Sequence, residues 1–183
     1  KFSPNERPIV AQIFGAHADN IREASALCRK LGFDGIDINM GCPDRSVEKQ
    51  GAGACMIKNP KLAREIIRAA KEGAAGLPIS VKTRIGYNPP RPLGFGRAGK
   101  NTDYLLDREW IKVLLSENLA ALTVHLRTRK EMSDVPAHWE LIADIVRLRD
   151  EMKSETLILG NGDALDLKDA EQKVEDTGCD GIM

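Results

Sequence analysis

Short apolar runs alternate along the chain with segments in which apolar residues recur every three or four positions. The runs predict β-strands at Ile9–Phe14, Gly35–Asn39, Ile79–Arg84, Ala121–His125, Thr156–Leu159 and Asp180–Met183. Because these runs are apolar almost throughout, rather than alternating between apolar and polar residues, they predict parallel strands that are buried on both faces.

Helical periodicity fills the intervals between these runs. The positions at helical spacing, apolar except for Glu117, are Ile21, Ala24, Leu27 and Leu31; Leu62, Ile66, Ile67 and Ala70; Trp110, Val113, Leu114 and Glu117; and Trp139, Ile142, Ile145 and Leu148. Gly32 predicts the end of the first helix. Asn59 followed by Pro60 predicts the N-cap and first turn of the second.

Repeated strand–helix units fit two architectures, an open doubly wound sheet and a closed (β/α) barrel, and periodicity alone does not separate them. The polar residues favour the barrel, because they follow nearly every strand and would meet at one mouth. They are Gln12, Asn39 with Cys42, Lys82 with Arg84, His125 with Arg127, and Asn161 with Asp163. We therefore expect one α/β domain over residues 1–183, an incomplete (β/α)8 TIM barrel holding about strands 3 to 8 of a larger domain cut at both ends.

Residues 86–108 break this rhythm with a segment rich in proline, glycine and arginine. Its charged residues are Arg91, Arg97, Lys100 and Arg108 against Asp103 and Asp107, so the segment is mildly basic. We expect a flexible insertion at 87–108, and a specific RNA-contacting loop is the alternative.

Charge, apolar stretches and cysteine content exclude few classes of protein. The 27 Lys and Arg residues balance 27 Asp and Glu residues, so net charge does not indicate a nucleic-acid partner. No apolar stretch approaches the roughly 18–20 residues that span a bilayer, so we expect no membrane association. The four cysteines form no C-x-x-C pair, which argues against a metal site. Reduced thiols predict a cytoplasmic protein, also nuclear in a eukaryote, and we expect a monomer.

The most informative motif is Asp37-Ile-Asn-Met-Gly-Cys-Pro43, followed by Gly51-Ala-Gly-Ala-Cys55. Pro43 has no N–H and a fixed φ, so Cys42 is predicted to lie on a stiff loop after a strand rather than in a helix. A lone thiol is more often an inert buried residue, but this setting favours a reactive one. The glycines at 51 and 53 indicate close approach of the backbone to a ligand or to another element.

With VAQIFG before it and SVKTRIGY, VHLRTR and GNGD after it, this motif resembles the dihydrouridine synthase family, in the family's order from Val10 to Met183. The resemblance implies an FMN-binding (β/α) barrel. It also implies that NADPH is used to reduce the C5=C6 bond of specific uridines in tRNA. A helical tRNA-binding domain follows the barrel in this family and is absent from the chain.

The resemblance also implies a role for each matching residue. Cys42 is expected to be the general acid that protonates C5. The expected cofactor-binding residues are Gln12, Lys82, His125, Asn161, Gly162 and Asp163, and the expected substrate-binding residues are Asn39, Arg84 and Arg127. Structural alternatives remain open: Lys82 as a surface charge, His125 as a core histidine, and Arg127 with Arg129 in ion pairs at the rim.

The residue types suit this reaction. Hydride addition at C6 leaves negative charge across C5 and the C4 carbonyl, and a proton must then reach C5. A thiol at its reference pKa of about 8.5 is mostly protonated at neutral pH and can supply that proton. We therefore expect Cys42 to lie away from any uncompensated cation, because such a cation would favour the thiolate.

Three departures from the family and two rival functions accompany this interpretation, and the most serious departure is the expected loss of both ends of the barrel domain. Leu126 stands where the family usually has glycine, and we expect it to crowd the flavin or uracil side. The insertion at 87–108 is longer than the usual connection. The rivals are a flavin-dependent reductase of free pyrimidines, similar to dihydroorotate dehydrogenase, and a catalytically silent RNA-binding relative. The Gly-Cys-Pro loop argues against the first, and the presence of Cys42, Lys82 and His125 argues against the second.

Overall fold

A computed structural model describes residues 2–88 and 106–183. Parallel strands form one sheet in the order in which they occur along the chain: β1 (Val10–Ile13), β2 (Gly35–Asn39), β3 (Ile79–Arg84), β4 (Ala121–His125), β5 (Leu157–Asn161) and β6 (Gly181–Ile182). Each strand pairs with the next in parallel.

Helices connect the strands, and all except the short second helix pack beside one another in chain order. They are α1 (Ala18–Lys30), α2 (Arg45–Glu48), α3 (Pro60–Ala74), α4 (Arg108–Leu115), α5 (Ile142–Glu151) and α6 (Leu167–Thr177), with 3-10 turns at Pro4–Glu6, Gly53–Lys58 and Trp139–Leu141. A doubly wound sheet reverses its strand order at a switch point, whereas a barrel keeps the order of the chain. The uninterrupted order of these strands confirms the incomplete barrel.

Local sequence fixes several helix ends. The side chain of Asn59 accepts a hydrogen bond from the Leu62 N–H, and Pro60 occupies the first turn of α3, as predicted. Asp107 and Asp166 cap α4 and α6 in the same way. Gly32, just beyond α1, has a φ of +82°, which a residue with a side chain adopts only with strain.

The two faces of the sheet differ sharply in polarity. One face packs against the helices through fully buried aliphatic residues: Ile36, Ile38, Val81, Leu122, Val124 and Ile158. Residues that alternate with these point to the opposite face. That face, here called the inner face, carries Gln12, Asp37, Asn39, Ser80, Lys82, His125 and Asn161. The hydrophobic core therefore lies outside the sheet, and the inner face supplies chemistry.

Most predicted element bounds agree with the structure, and the differences have physical causes. The strand expected at Thr156–Leu159 runs on to Asn161, because Gly160 and Asn161 pair with β4. Leu27 and Leu31 are 54% and 58% exposed, since Ile21 and Cys28 instead form the buried side of α1.

The predicted insertion at 87–108 falls largely on residues 89–105, which lie outside the described residues. At its margins Tyr87 is half-buried and Leu106 is 5% exposed. No helix within residues 2–88 and 106–183 is long and apolar enough to cross a membrane.

Candidate active site

The carboxyl ends of the strands surround a cavity of about 290 Å³. It is lined by Gln12, Asn39, Gly41, Cys42, Pro43, Lys82, Thr83, Arg84, His125 and Met183. Most of the predicted site residues are therefore brought together. A larger cavity of about 560 Å³ lies between β1 and α1, but no Cys, Lys or Arg lines it, so size alone does not locate the reactive site.

Cys42 lies half-buried, as a free thiol, on the loop that follows β2. The side-chain oxygen of Asn39 accepts hydrogen bonds from the N–H groups of Gly41 (3.1 Å) and Cys42 (2.9 Å). A Cβ at Gly53 would lie 2.6 Å from the carbonyl oxygen of Cys42. The close backbone approach expected at Gly53 is thus to the Cys42 loop. This loop is held by Asn39 on one side and packs against Gly53 on the other.

A chain of hydrogen bonds on the inner face leads to this loop from Asp37, which is 7% exposed. Ser80 donates to Oδ1 of Asp37 (2.7 Å), and Nε2 of Gln12 donates to Oδ2 (2.8 Å). Nδ2 of Asn39 then donates to Oε1 of Gln12 (3.1 Å). Because a carboxylate only accepts hydrogen bonds, it favours the Gln12 orientation that leaves Oε1 facing Asn39.

Arg84 is 6% exposed and donates to the backbone carbonyls of Gly41 (2.9 Å), Thr128 (3.1 Å) and Met132 (3.0 Å). Burial and then Arg127 lower the pKa of Arg84, while negative charge at Cys42 acts in the opposite direction. A cation therefore does lie near Cys42, whereas the expectation concerned an uncompensated cation. Three carbonyl dipoles offset part of its charge.

Lys82 extends from β3 into the cavity and donates to the side-chain oxygen of Asn161 (2.6 Å). The amide of Asn161 in turn donates to the carbonyl of Met183 (2.8 Å). Burial is the main cause that lowers the pKa of Lys82, the charge of Arg84 adds to it, and Asp37 opposes it. Asn161, predicted as part of a loop, is instead the last residue of β5 and orients this lysine.

His125 lies at the end of β4 and lines the same cavity. Its Nε2 is 3.1 Å from a guanidinium nitrogen of Arg127. Burial, followed by the charges of Arg84, Lys82 and Arg127, lowers the pKa of His125 to about 4. The imidazole is therefore neutral at physiological pH.

Arg127 is paired with Asp163 rather than directed into the cavity. One guanidinium nitrogen donates to both Asp163 oxygens, at 2.6 and 2.7 Å, and Nε donates to the Val135 carbonyl at 2.6 Å. Asp163 also accepts from the Ala137 N–H, and these contacts, Arg127 first, lower its pKa. The guanidinium and carboxylate are thus engaged with each other beside His125.

The backbone after β5 has an unusual conformation. Gly162 has a φ of +123°, and Asp163 has a φ of +54°. A Cβ at Gly162 would lie 3.0 Å from Ala137 Cβ and 3.1 Å from His125 Cδ2, so a larger residue would displace the imidazole. Within residues 2–88 and 106–183, no acceptor is found for the N–H groups of Gly162 and Asp163. Adjacent unpaired N–H groups of this kind can hold an anion.

Leu126 and Arg129 also bear on expectations drawn from the sequence. Leu126 is fully buried in the hydrophobic core and does not line the cavity. Its side chain therefore does not enter this cavity. Arg129 forms an ion pair with Glu48 and donates to the Pro43 carbonyl at 3.3 Å, so it ties down the Cys42 loop.

Asp37 and Ser80 are the site residues that sequence analysis assigned no role. The available signal was a charged residue at the centre of an otherwise apolar strand, two positions before Asn39 and so on the same face. Within the described part of the chain, no cluster of three or more His, Cys, Asp or Glu residues could hold a metal ion.

Comparison with known proteins identifies a family that the chain matches. Residues 1–183 match the family model described as Dihydrouridine synthase (Dus). The chain is 46% identical to the "Probable tRNA-dihydrouridine synthase" of Staphylococcus aureus (strain COL) over 184 residues, which cover 100% of the chain and 51% of that protein. The chain thus spans about half the length of this curated relative.

Solved structures with low sequence identity share the fold. A structure of 2,3-dimethylmalate lyase superimposes with a TM-score of 0.60 at 16% identity, covering 97% of this chain and 57% of that one. Morphinone reductase in complex with tetrahydroNAD gives a TM-score of 0.55 at 18% identity, covering 90% and 43%. At this level of identity the likeness concerns the barrel architecture alone.

Proposed function

Because the chain belongs to the dihydrouridine synthase family, we propose that the protein of which it forms part reduces the C5=C6 bond of specific uridines in tRNA to dihydrouridine. FMN is its cofactor and NADPH its reductant in this proposal. The observation that carries the proposal is the meeting of Cys42, Lys82 and His125 around one cavity at the strand ends.

The residues present fit FMN at two places. Lys82 has three N–H donors and uses one, on Asn161, within the described residues, so it can donate to the ring system beside Gln12 and His125. The N–H groups of Gly162 and Asp163 can hold the phosphate or ribityl end. When bound, FMN supplies the hydride chemistry that no side chain provides.

Cys42 would hold a proton at Sγ and release it to C5 of the uracil. Its loop is fixed by Asn39, whose oxygen accepts from two loop N–H groups, and Asn39 also faces the base in this proposal. The guanidinium of Arg84 donates to three carbonyl oxygens, whose dipoles offset part of its charge near this loop. Positioning of the donor then supplies much of the acceleration that the protein contributes.

The partners and location follow from the same proposal. The substrate is tRNA, recognised with the help of a helical domain outside this chain, and the protein acts as a monomer. We place it in the cytoplasm, and also in the nucleus if the source is a eukaryote. In this proposal Arg127 contributes to the substrate side through the residues it holds, whereas Arg84 itself lines the cavity.

Replacement of Cys42 by alanine tests the assigned chemistry in the full-length protein. We expect FMN binding and reduction by NADPH to remain, while dihydrouridine formation in unmodified tRNA falls by about 100-fold or more, in the range of a lost general acid. Nucleoside analysis by mass spectrometry measures the product. Cys55→Ala, in the 3-10 turn beside the loop, is the matched control and should keep its activity. Full activity of Cys42→Ala would exclude the role.

Supplying free uridine in parallel with unmodified tRNA distinguishes the proposal from its rival. Turnover of the free nucleoside at a rate comparable to that with tRNA would favour a reductase of free pyrimidines instead. FMN binding without any product from either substrate would favour a catalytically silent relative.

A further inference from the structure

The imidazole of His125 contacts Arg127, in the loop after β4, and Arg127 in turn pairs with Asp163, in the loop after β5. Arg127 is 7% exposed and is held by both oxygens of Asp163 and by the carbonyl of Val135. Its remaining terminal nitrogen lies 3.1 Å from Nε2 of His125. The guanidinium therefore has one geometry in which it can meet the ring.

The direction of that contact is fixed by chemistry. A guanidinium has only N–H donors and no acceptor, so Nε2 of His125 must accept the hydrogen bond. A neutral imidazole carries a single proton, which must then lie on Nδ1. Arg127 thus selects the Nδ1–H tautomer, although free histidine in water favours the Nε2–H form.

Nδ1 is left for a ligand. Within residues 2–88 and 106–183, no protein atom forms a hydrogen bond with it. The fully buried side-chain polar atoms that lack a partner there are Ser25 Oγ and Glu48 Oε1, so Nδ1 is not sealed inside the protein. His125 also lines the cavity that holds Cys42.

We infer that Arg127 and Asp163 are positioning residues that fix His125 as an Nδ1–H donor, so that it offers one N–H and no acceptor to a carbonyl or anionic oxygen of the bound ligand. The charged groups that face the ring are Arg84, Lys82, Arg127 and Asp163, and the cations outnumber the carboxylate. This keeps the imidazole neutral, consistent with a pKa of about 4. The catalytic meaning of the donor rests on the proposed function.

Nuclear magnetic resonance of the full-length protein tests the tautomer directly. With ¹⁵N-labelled histidine and His125→Gln for assignment, long-range ¹H–¹⁵N spectra at pH 7 should show a protonated Nδ1 and an unprotonated Nε2. Arg127→Met keeps the aliphatic stem and removes the donor. We expect it to shift the tautomer ratio toward Nε2–H by about tenfold or more, since a hydrogen bond from a charged donor is lost.

Graded variants separate this role from general support of the fold. Arg127→Lys retains a charged donor and should keep more of the Nδ1–H form than Arg127→Met does. Asp163→Asn loosens Arg127 and should give an intermediate ratio. Arg129→Met is the matched control, because it removes an equal charge from the same loop without contact to His125, and it should leave the ratio unchanged.

Two results would overturn the inference: an Nε2–H tautomer in the wild type, or a ratio that is the same in wild type, Arg127→Met and Asp163→Asn. The spectra are recorded without NADPH or tRNA. If the wild type makes no dihydrouridine but shows the Nδ1–H form lost in Arg127→Met, the proposed function fails and the positioning stands. If Arg127→Met does not fold, Arg127→Lys and Asp163→Asn supply the same comparison.

Discussion

At the scale of single residues, the depressed pKa of His125 has a consequence for stability. The folded state holds its pKa at about 4, through burial and then through Arg84, Lys82 and Arg127, against an unfolded value of about 6.5. Between these values the unfolded chain binds more protons than the folded one. Stability attributable to this group therefore rises as the pH increases from 4 to 6.5 and is constant above that window.

We predict that His125→Gln flattens the pH dependence of unfolding. Relative to the variant, the wild type should gain up to about 3 kcal/mol in the free energy of unfolding between pH 4 and pH 7. Urea denaturation of the full-length protein at several pH values measures the difference. His17→Gln, at an exposed position, should not show it. Curves that stay parallel for wild type and His125→Gln would contradict the prediction.

Some residues of the site could be predicted from their sequence context, and others could not. Cys42 follows an apolar strand, Lys82 lies two residues before the end of one, and His125 ends one. Their position at the mouth therefore followed from the pattern, and the structure brings them together. Asp37 was not assigned a role, because hydrogen-bond partners on neighbouring strands depend on register. The pairing of Arg127 with Asp163 was also beyond the sequence, since 36 residues separate them.

At the scale of elements, periodicity located the six described strands and the cores of α1, α3, α4 and α5, but it did not predict α2 or α6. The strand ends that differ lie where neighbours override local preference. Gly160 and Asn161 are poor strand formers, yet both belong to β5 because β4 on one side supplies hydrogen bonds. A glycine is also required there. A Cβ at position 160 would lie 2.5 Å from the Trp139 ring, which packs across the strand.

The packing of α1 against α3 depends on one small residue. A Cβ at Gly73 in α3 would lie 2.0 Å from the backbone carbonyl oxygen of Arg22 in α1. Backbone atoms cannot rotate away as a side chain can, so any larger residue must push the helices apart. The helix pair therefore tolerates only glycine at this position.

We predict that Gly73→Ala lowers the free energy of unfolding by about 1–3 kcal/mol, as overpacking does. The sign matters, because alanine in an unobstructed helix would instead stabilise it by about 1 kcal/mol. Urea denaturation measures the change. Glu65→Ala, at an exposed position of the same helix, is the control and should be close to neutral. A stabilised Gly73→Ala variant would show that the helices are not in close contact.

At the scale of the whole molecule, strand order decided what the sequence left open. Apolar runs and helices of this length suit a doubly wound sheet as well as a barrel. The two differ in whether the chain reverses direction across the sheet, which depends on contacts between distant segments. Polar residues at the strand ends were the one sequence feature that favoured the barrel.

The 183-residue chain exposes apolar surface at both edges of its sheet. Val10 and Phe14 at the β1 edge are 51% and 53% exposed, and Leu157, Leu165 and Leu167 near the other edge are 50%, 85% and 84% exposed. An edge strand with unpaired backbone groups and apolar side chains is a site for association with another chain. These exposed fractions are those of the 183-residue chain alone, without the rest of the longer protein.

We predict that the isolated chain self-associates at micromolar concentration, whereas the full-length protein remains monomeric. Analytical ultracentrifugation distinguishes the two. Val10→Lys places a charge on the β1 edge and should reduce association of the isolated chain. Met152→Lys, at a 37% exposed position after α5, should have little effect. A monomeric isolated chain would show that this edge is protected in another way.

The polar inner face has a consequence for how the molecule gains its stability. Aliphatic burial drives folding on the helix side of the sheet, while Asp37, Lys82 and their neighbours on the inner face are fixed by hydrogen bonds and charge. A ligand that binds this face in the folded state alone adds stability by mass action, about 2.7 kcal/mol at a concentration 100 times its dissociation constant. The lifetime of the folded protein in a cell would then follow the supply of that ligand, so that abundance and activity respond to the same small molecule.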